Sequence, residues 1–132
     1  MVQKLKLMGC GTSSKLADQS AAGTVTLALT ATGSTSQSAS FQIIDDVNEF
    51  TTVSSGNGAR LPADGSLGGE GPTPGDIFFI ENGQATNALL LYPPLTGKLN
   101  NLAANTSISM PASKSAFAVY KGSNNYTVNL SA

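Results

Sequence analysis

The fold of this chain is decided by GDIFFIEN at residues 75–82 and by ALLLYPP at residues 88–94. Both runs are short and apolar at their centres, and both are bounded by residues that favour turns, namely Pro74, Gly83 and Pro93. This pattern predicts two β-strands joined by a short polar connection. We expect these two strands to form the centre of the fold.

Neither run alternates between apolar and polar residues. A strand with one face in water should alternate, because successive side chains point to opposite faces of a sheet. Both faces of these strands therefore need a cover. We expect one face in the core of a β-sandwich and the other against another layer of the same chain or against another copy of it. The residues assigned to the core or to an oligomer contact are Ile77, Phe78, Phe79, Ile80, Leu89, Leu90, Leu91 and Tyr92.

The flanking sequence has the same character of short strands and turns. Thr24–Thr30 alternates, which predicts a strand with Val25, Leu27 and Leu29 on one face. Further strands are predicted at residues 39–44, 49–54, 59–62, 107–110, 115–121 and 126–130. No segment has a helical period and no internal repeat is apparent. The sequence predicts an all-β fold, a β-sandwich with jelly-roll or Greek-key topology spanning residues 23–132.

Residues 1–22 are predicted to form an extended N-terminal arm rather than part of the sandwich. Residues 1–17 contain three lysines and no acid, whereas residues 18–81 contain all eight acids and one base. Blocks of opposite charge suggest a basic arm that reaches an acidic surface. The residues expected to bind a partner are Val2, Lys4, Leu5, Lys6, Leu7 and Met8.

The composition bears on the class of protein. Charged residues make up only 11% of the chain, against about 25% in typical soluble domains. Ser, Thr, Asn and Gly replace them, which suits a protein that works inside an assembly. The basic residues are too few and too dispersed for a nucleic-acid surface. No run approaches the ~20 apolar residues that span a bilayer, so neither nucleic acid nor a membrane is expected as a partner.

The residue types needed for catalysis are scarce. The chain has no histidine, which removes the commonest general base and the commonest zinc ligand, and its single cysteine, Cys10, cannot form an intrachain disulfide. A carboxylate cluster, Asp45, Asp46 and Glu49, could bind calcium, but it lacks EF-hand spacing and is ordinary turn chemistry. We therefore expect no enzyme activity, no cofactor and no metal site.

Seven short strings, most of them turns, give the chain a family resemblance. They are residues 32–37 (TGSTSQ), 46–48 (DVN), 56–62 (GNGARLP), 74–76 (PGD), 91–94 (LYPP), 97–100 (GKLN) and 112–116 (ASKSA). With these strings the chain resembles small virion proteins of tailed bacteriophages, most closely the head decoration, or cement, proteins. The resemblance extends over residues 22–131, and the loop at residues 64–71 is expanded relative to the family pattern.

The resemblance implies a β-rich homotrimer on the outside of an icosahedral capsid, where it bridges subunits of the major capsid protein. It places the protein in the virion, and in the bacterial host cytoplasm during assembly. Two other functions compete with this one. The first is another virion part, such as a head fibre or a tail-spike or baseplate module. The second is a carbohydrate-binding β-sandwich, although sugar modules usually expose Trp or Tyr and the chain has no Trp.

Overall fold

The computed structural model describes residues 24–67 and 71–132. The predicted arm, and with it the partner-binding residues between Val2 and Met8, lies outside the described residues. The described part is all-β and contains no helix, so no helix there could span a membrane. Its strands are β1 (Val25–Thr30), β2 (Phe41–Gln42), β3 (Val47–Thr52), β4 (Gly58–Arg60), β5 (Ile77–Asn82), β6 (Leu89–Tyr92), β7 (Lys98–Leu99), β8 (Ile108–Met110), β9 (Lys114–Gly122) and β10 (Asn125–Leu130).

The strands form two sheets, and the first six strands alternate between them. The larger sheet has the order β1-β3-β5-β9-β10-β7, and the smaller sheet has the order β2-β4-β6-β8. Strands β1, β3 and β5 pair parallel in the larger sheet, and β2, β4 and β6 pair parallel in the smaller one. The chain then closes both sheets with antiparallel strands, β8 on β6 and β9 on β5.

Two sequence-based expectations can be compared with this topology. The runs at residues 75–82 and 88–94 do form strands, β5 and β6, but they lie in different sheets and do not pair with each other. The jelly-roll or Greek-key topology is not confirmed, because those folds are built from antiparallel strands and β1 to β6 pair parallel within each sheet.

The connection between β5 and β6 is set by one buried polar residue. The Asn82 side chain is fully buried, and its amide donates to the carbonyl oxygens of Asn87 at 2.9 Å, Pro111 at 3.1 Å and Met110 at 3.2 Å. Buried polar groups must be hydrogen-bonded, so this network fixes the path by which the chain leaves the larger sheet and enters the smaller one.

Both sheets contribute to one hydrophobic cluster. From the larger sheet it includes Phe50, Phe78, Ile80, Tyr120 and Tyr126, all almost fully buried. From the smaller sheet it includes Ala59, Leu89, Leu91 and Met110. Alternate residues of β5 and of β6 therefore point towards the same cluster, which explains why both runs are apolar although they belong to different sheets.

Strand β1 forms as predicted, but its faces do not. Ala28 has a positive φ of 59°, and the register with β3 shifts between Thr26 and Leu29. This irregularity breaks the alternation, because an extra residue turns the following side chain to the other face. Leu29 packs against the core, whereas Val25 and Leu27 are 53% and 60% exposed.

The loop between β4 and β5 is held at both ends. The Tyr120 hydroxyl donates to the Asp64 carboxylate, and the Asp64 amide donates to the Asn124 side chain at 2.8 Å. The Gly75 amide donates to the Tyr120 carbonyl oxygen at 2.8 Å. Leu67 packs against the hydrophobic cluster. The described ends of the loop are thus bonded to the β9–β10 hairpin.

Candidate functional site: an apolar sheet face

The exposed side of the larger sheet is built first from β5 and β9. Their antiparallel register places Ile77 beside Val119 and Phe79 beside Phe117. The two phenylalanine rings lie 5.1 Å apart between centroids and are tilted by 56°. Because neighbouring residues of a strand alternate, these four side chains point away from the core that holds Phe78.

The same side continues across β3 and β1. Val47 of β3 lies beside Phe79, and Val25 of β1 lies beside Val47. Leu27, two residues further along β1, is exposed. We call this set the outer face, and its members are Val25, Leu27, Val47, Ile77, Phe79, Phe117 and Val119. On β10 the neighbouring positions are Thr127 and Asn129, so the apolar surface stops at β9.

The outer face is more apolar than a sheet side that faces water usually is. Ile77 and Phe117 are 53% and 51% exposed, and Val47, Phe79 and Val119 are half-buried. Exposed apolar residues that stand singly are normal, but a contiguous set of them marks a surface that contacts another molecule or segment. The outer face is therefore the candidate functional surface of the described residues.

Two carboxylates border the outer face at one end. Glu49 follows Val47 by two residues, Glu81 follows Phe79 by two residues, and the parallel register places Glu49 directly beside Glu81. Like charges side by side in a sheet are unfavourable. We call Glu49 and Glu81 the acidic end. Lys121, two residues beyond Val119, lies at the opposite end of β9. The surface thus has an apolar centre and one negatively charged end.

Strand β6 is less exposed than β5. Its core side carries Leu89 and Leu91, and on its other side Leu90 is half-buried and Tyr92 is buried. The segment before β2 is tied to this side, because Gln37 donates to the Pro93 carbonyl oxygen at 2.8 Å and Arg60 donates to the carbonyl oxygen of Gln37 at 3.3 Å. The outer side of β5 is thus more exposed than that of β6, since Ile77 is 53% exposed whereas Leu90 is half-buried and Tyr92 is buried.

The acidic residues before β3 serve the turn. The Asp45 carboxylate accepts a hydrogen bond from the Thr26 hydroxyl, and the Asp46 carboxylate accepts one from the Thr24 amide at 3.3 Å. These bonds hold the start of the edge strand β1 against β3. Within residues 24–67 and 71–132, no three His, Cys, Asp or Glu side chains are grouped to hold a metal ion.

The eight residues assigned from sequence thus divide between two roles. Six of them are buried or half-buried in the β5 and β6 layers without joining the outer face, namely Phe78, Ile80, Leu89, Leu90, Leu91 and Tyr92. Ile77 and Phe79 belong to the outer face. Sequence reasoning missed its other members. Phe117 and Val119 were detectable, since they alternate with Ala116, Ala118 and Tyr120, but Val25 and Leu27 were not, because their exposure depends on the irregularity at Ala28.

Searches of protein-family models, curated proteins and solved structures found no match to this chain.

Proposed function

We propose that this chain is a structural virion protein that decorates an icosahedral phage capsid and stabilises it by bridging subunits of the major capsid protein. The observation that carries the proposal is the outer face, a contiguous apolar sheet surface that the described residues leave uncovered. A protein with such a face and few charges works in contact with other protein. The resemblance of its turns to those of cement proteins supports the choice of partner.

The finer description of the fold is part of this proposal. We propose that the two sheets pack face to face as a β-sandwich, supported by the single hydrophobic cluster to which both contribute. The turn strings that carry the resemblance lie where they stabilise the sheets. For example, the Asn57 side chain donates to the Ala31 carbonyl oxygen at 2.9 Å, and the Asn100 side chain accepts from the Val128 amide at 2.8 Å.

The protein is proposed to act as a homotrimer on the capsid exterior, after assembly in the bacterial cytoplasm. Capsid lattices offer three-fold positions, and a closed ring of three subunits leaves few free sheet edges. The larger sheet ends in β1 and β7, so each subunit has edges to protect. Native mass spectrometry at micromolar concentration, and of particles, measures this. A monomer in both settings would contradict the trimer.

Three tyrosines argue against the carbohydrate-binding alternative. Tyr92, Tyr120 and Tyr126 are the only tyrosines of the chain, and their exposed fractions are 7%, 1% and 0%. A sugar platform needs an exposed aromatic ring with a polar edge, and neither Trp nor an exposed Tyr supplies it.

The copy number of the protein in purified particles tests the proposal. Quantitative mass spectrometry should find it at a copy number comparable with that of the major capsid protein. A count of one small complex per vertex or per particle would replace the cement role by that of a head fibre, tail-spike or baseplate module. Absence from particles would overturn the virion role altogether.

A further inference from the structure

The outer face has the shape of a surface that packs against another sheet. It is carried by four neighbouring strands of one sheet, β1, β3, β5 and β9. Two sheets pack about 10 Å apart, with strand directions within about 30° of each other, so that the side chains of the facing sides interdigitate. On the outer face these side chains are apolar, and Ile77 and Phe117 each expose about half of their surface. The occupant that fits this shape is a second sheet with an apolar side, and every copy of this chain carries one.

The charges at the two ends of the outer face are opposite in sign. Glu49 and Glu81 form the acidic end, and Lys121 is exposed at the far end of β9. The antiparallel register places Glu81 beside Ser115, six residues before Lys121. At ~3.4 Å per residue, the two ends of the face are about 20 Å apart along β9. A face with one negative and one positive end is complementary to a copy of itself that is turned end for end.

The charges select one of the two ways in which two outer faces can meet across a two-fold axis. An axis parallel to the strands would bring both acidic ends to the same end of the contact, where four carboxylates repel one another. An axis perpendicular to the strands, in the plane of the contact, reverses one copy. Glu81 of each copy then lies near Lys121 of the other. The flexible stem of lysine can lie on apolar residues while its ammonium group reaches the carboxylate.

The size of the contact fits a weak, reversible pair. Strands β1, β3, β5, β9 and β10 are each at least six residues long. At ~4.8 Å between strands and ~3.4 Å per residue, their outer side measures about 24 by 20 Å. Two such surfaces bury about 1,000 Å² in total, which is the lower end of the range for specific interfaces. A contact of this size gives a dimer in exchange with its monomer.

We infer that in solution two copies of this chain pair reversibly through their outer faces, turned end for end, with the apolar centres stacked and Glu81 of each copy near Lys121 of the other. This inference concerns the purified protein and does not depend on the proposed virion role. A pair that dissociates readily keeps the outer face out of water until another partner takes it, whichever partner that is.

Sedimentation equilibrium of two matched variants tests the apolar contact. Ile77 and Leu95 are both 53% exposed, but Ile77 belongs to the outer face and Leu95 lies between β6 and β7. Threonine keeps the β-branched shape that suits a strand. Ile77→Thr should raise the dissociation constant of the dimer at least about tenfold, whereas Leu95→Thr should leave it within about twofold. Circular dichroism checks that both variants fold. Equal effects of the two substitutions would overturn the inference.

Charge exchange tests the orientation and uses exposed positions, so folding is not at risk. Glu81→Lys and Lys121→Glu should each raise the dissociation constant at least about fivefold, because each brings like charges together across the contact. The two substitutions combined in one chain restore opposite charges and should recover most of the loss. Lys98→Glu, at an exposed position on β7, is the control and should change nothing. A combined variant as weak as the single ones would overturn the end-for-end arrangement.

A nitroxide label locates the second copy directly. Ser123→Cys in a Cys10→Ser background puts the only thiol of the chain, and hence the label, in the turn after β9. This protein is mixed with isotope-labelled protein that carries no nitroxide. The amide NMR signals of Glu81 and Ser115 should weaken, and that of Ser109, on β8 of the smaller sheet, should not.

Three results of the mixing experiment would count against the inference. Weakening at Lys121 instead of Glu81 would overturn the end-for-end arrangement. A monomer at the concentration used for NMR would overturn the pairing itself, and so would an oligomer in which the signals of β5 and β9 stay unchanged. Each result is obtained with purified protein and is the same whether or not the protein is found on capsids.

Discussion

Phe78 and Phe79 are neighbours in β5 with opposite environments. Phe78 is 2% exposed and its ring lies 6.1 Å from that of Tyr126, whereas Phe79 belongs to the outer face. Phe78→Ala should lower the free energy of unfolding by about 3–5 kcal/mol, because it opens a cavity in the core. Phe79→Ala should cost only about 1–2 kcal/mol, since its ring is partly in water already. Urea denaturation of both variants measures the difference; a larger loss for Phe79→Ala would mean that β5 is turned the other way, and equal losses would contradict the predicted difference in environment.

Because of Tyr126, the stability of the protein should decrease at alkaline pH. The pKa of Tyr126 is raised well above the ordinary value of 10, chiefly by burial. Its hydroxyl donates to the Pro62 carbonyl oxygen at 2.8 Å. Burial also raises the pKa of Tyr120, which donates to Asp64. The folded state therefore keeps these protons after the unfolded chain has lost them. Their contribution to stability is complete below pH ~10 and declines as the pH rises above it.

The measurement for this pH effect is the free energy of unfolding between pH 8 and pH 11. The wild-type value should fall above pH ~10, and Tyr126→Phe should flatten part of that fall because position 126 no longer carries a phenol that ionises in the unfolded chain. Tyr92→Phe is the control, as a tyrosine outside the Tyr120–Tyr126 pair. A variant with an unchanged slope would show that Tyr126 does not carry the effect.

At the scale of elements, the parallel pairing of β4 with β6 depends on a glycine. A Cβ atom built on Gly58 would lie 2.3 Å from the Leu90 carbonyl oxygen and 3.0 Å from the Tyr92 ring. Gly58→Ala should therefore push the two strands apart and cost about 1–3 kcal/mol. Gly83→Ala is the matched control, because its nearest contact would be 3.4 Å, and it should change stability by less than about 0.5 kcal/mol. Thermal unfolding ranks the two, and the reverse order would refute the register.

The crossover between β5 and β6 depends on Asn82. Asn82→Asp keeps the shape but replaces the amide donor with a carboxylate that faces three carbonyl oxygens. We expect a loss of about 3–5 kcal/mol at neutral pH, partly recovered in acid, where the protonated carboxyl can donate again. Asn101→Asp, at an exposed position, is the control. Equal stability of the two variants at neutral pH would show that the crossover does not need the Asn82 amide.

The elements also show where sequence reasoning succeeds and where it fails. Strand existence follows from local patterns, so β1, β3, β5, β6, β9 and β10 are all found close to their predicted positions. Strand pairing does not follow from local patterns. Strands β5 and β6 lie in different sheets, but the same two apolar runs would be expected if they formed a hairpin. The alternating course of β1 to β6 leaves no repeat either, because Val25 and Val47 are 22 residues apart and Val47 and Phe79 are 32 apart.

At the scale of the whole molecule, only part of the outer face could be predicted from the sequence. Ile77 and Phe79 were expected to need a second cover because their run does not alternate, and that argument requires no tertiary information. The participation of Val25 required knowledge that β1 loses its regular alternation at Ala28, and the acidic end required the register that brings Glu49 beside Glu81. Residues far apart in the chain form one surface only through the pairing of the larger sheet, which is parallel from β1 to β5 and antiparallel between β5 and β9.

Residues 2–8 are expected to add little to the stability of the free protein. Burying Val2, Leu5, Leu7 and Met8 gains about 1.5–3 kcal/mol each, and ordering seven residues costs about 1–2 kcal/mol each in backbone entropy. These amounts nearly cancel. Deletion of residues 2–14 should therefore leave the melting temperature within about 4–8 °C of the wild-type value, the shift expected for ~1 kcal/mol.

The same deletion should abolish occupancy on capsids, because the proposed docking residues are gone while the sheets remain. Cosedimentation of purified protein with particles that lack it measures occupancy, and calorimetry of the free variant measures the melting temperature. A replacement of residues 2–14 by a Gly/Ser segment of equal length is the control for chain length and should behave as the deletion does. A large drop in melting temperature would mean that residues 2–14 are an integral strand of the domain, and full occupancy by the variant would mean that the outer face or another surface docks without them. Only a stable variant that fails to bind would fit the prediction that residues 2–14 contact a partner and are not needed for folding.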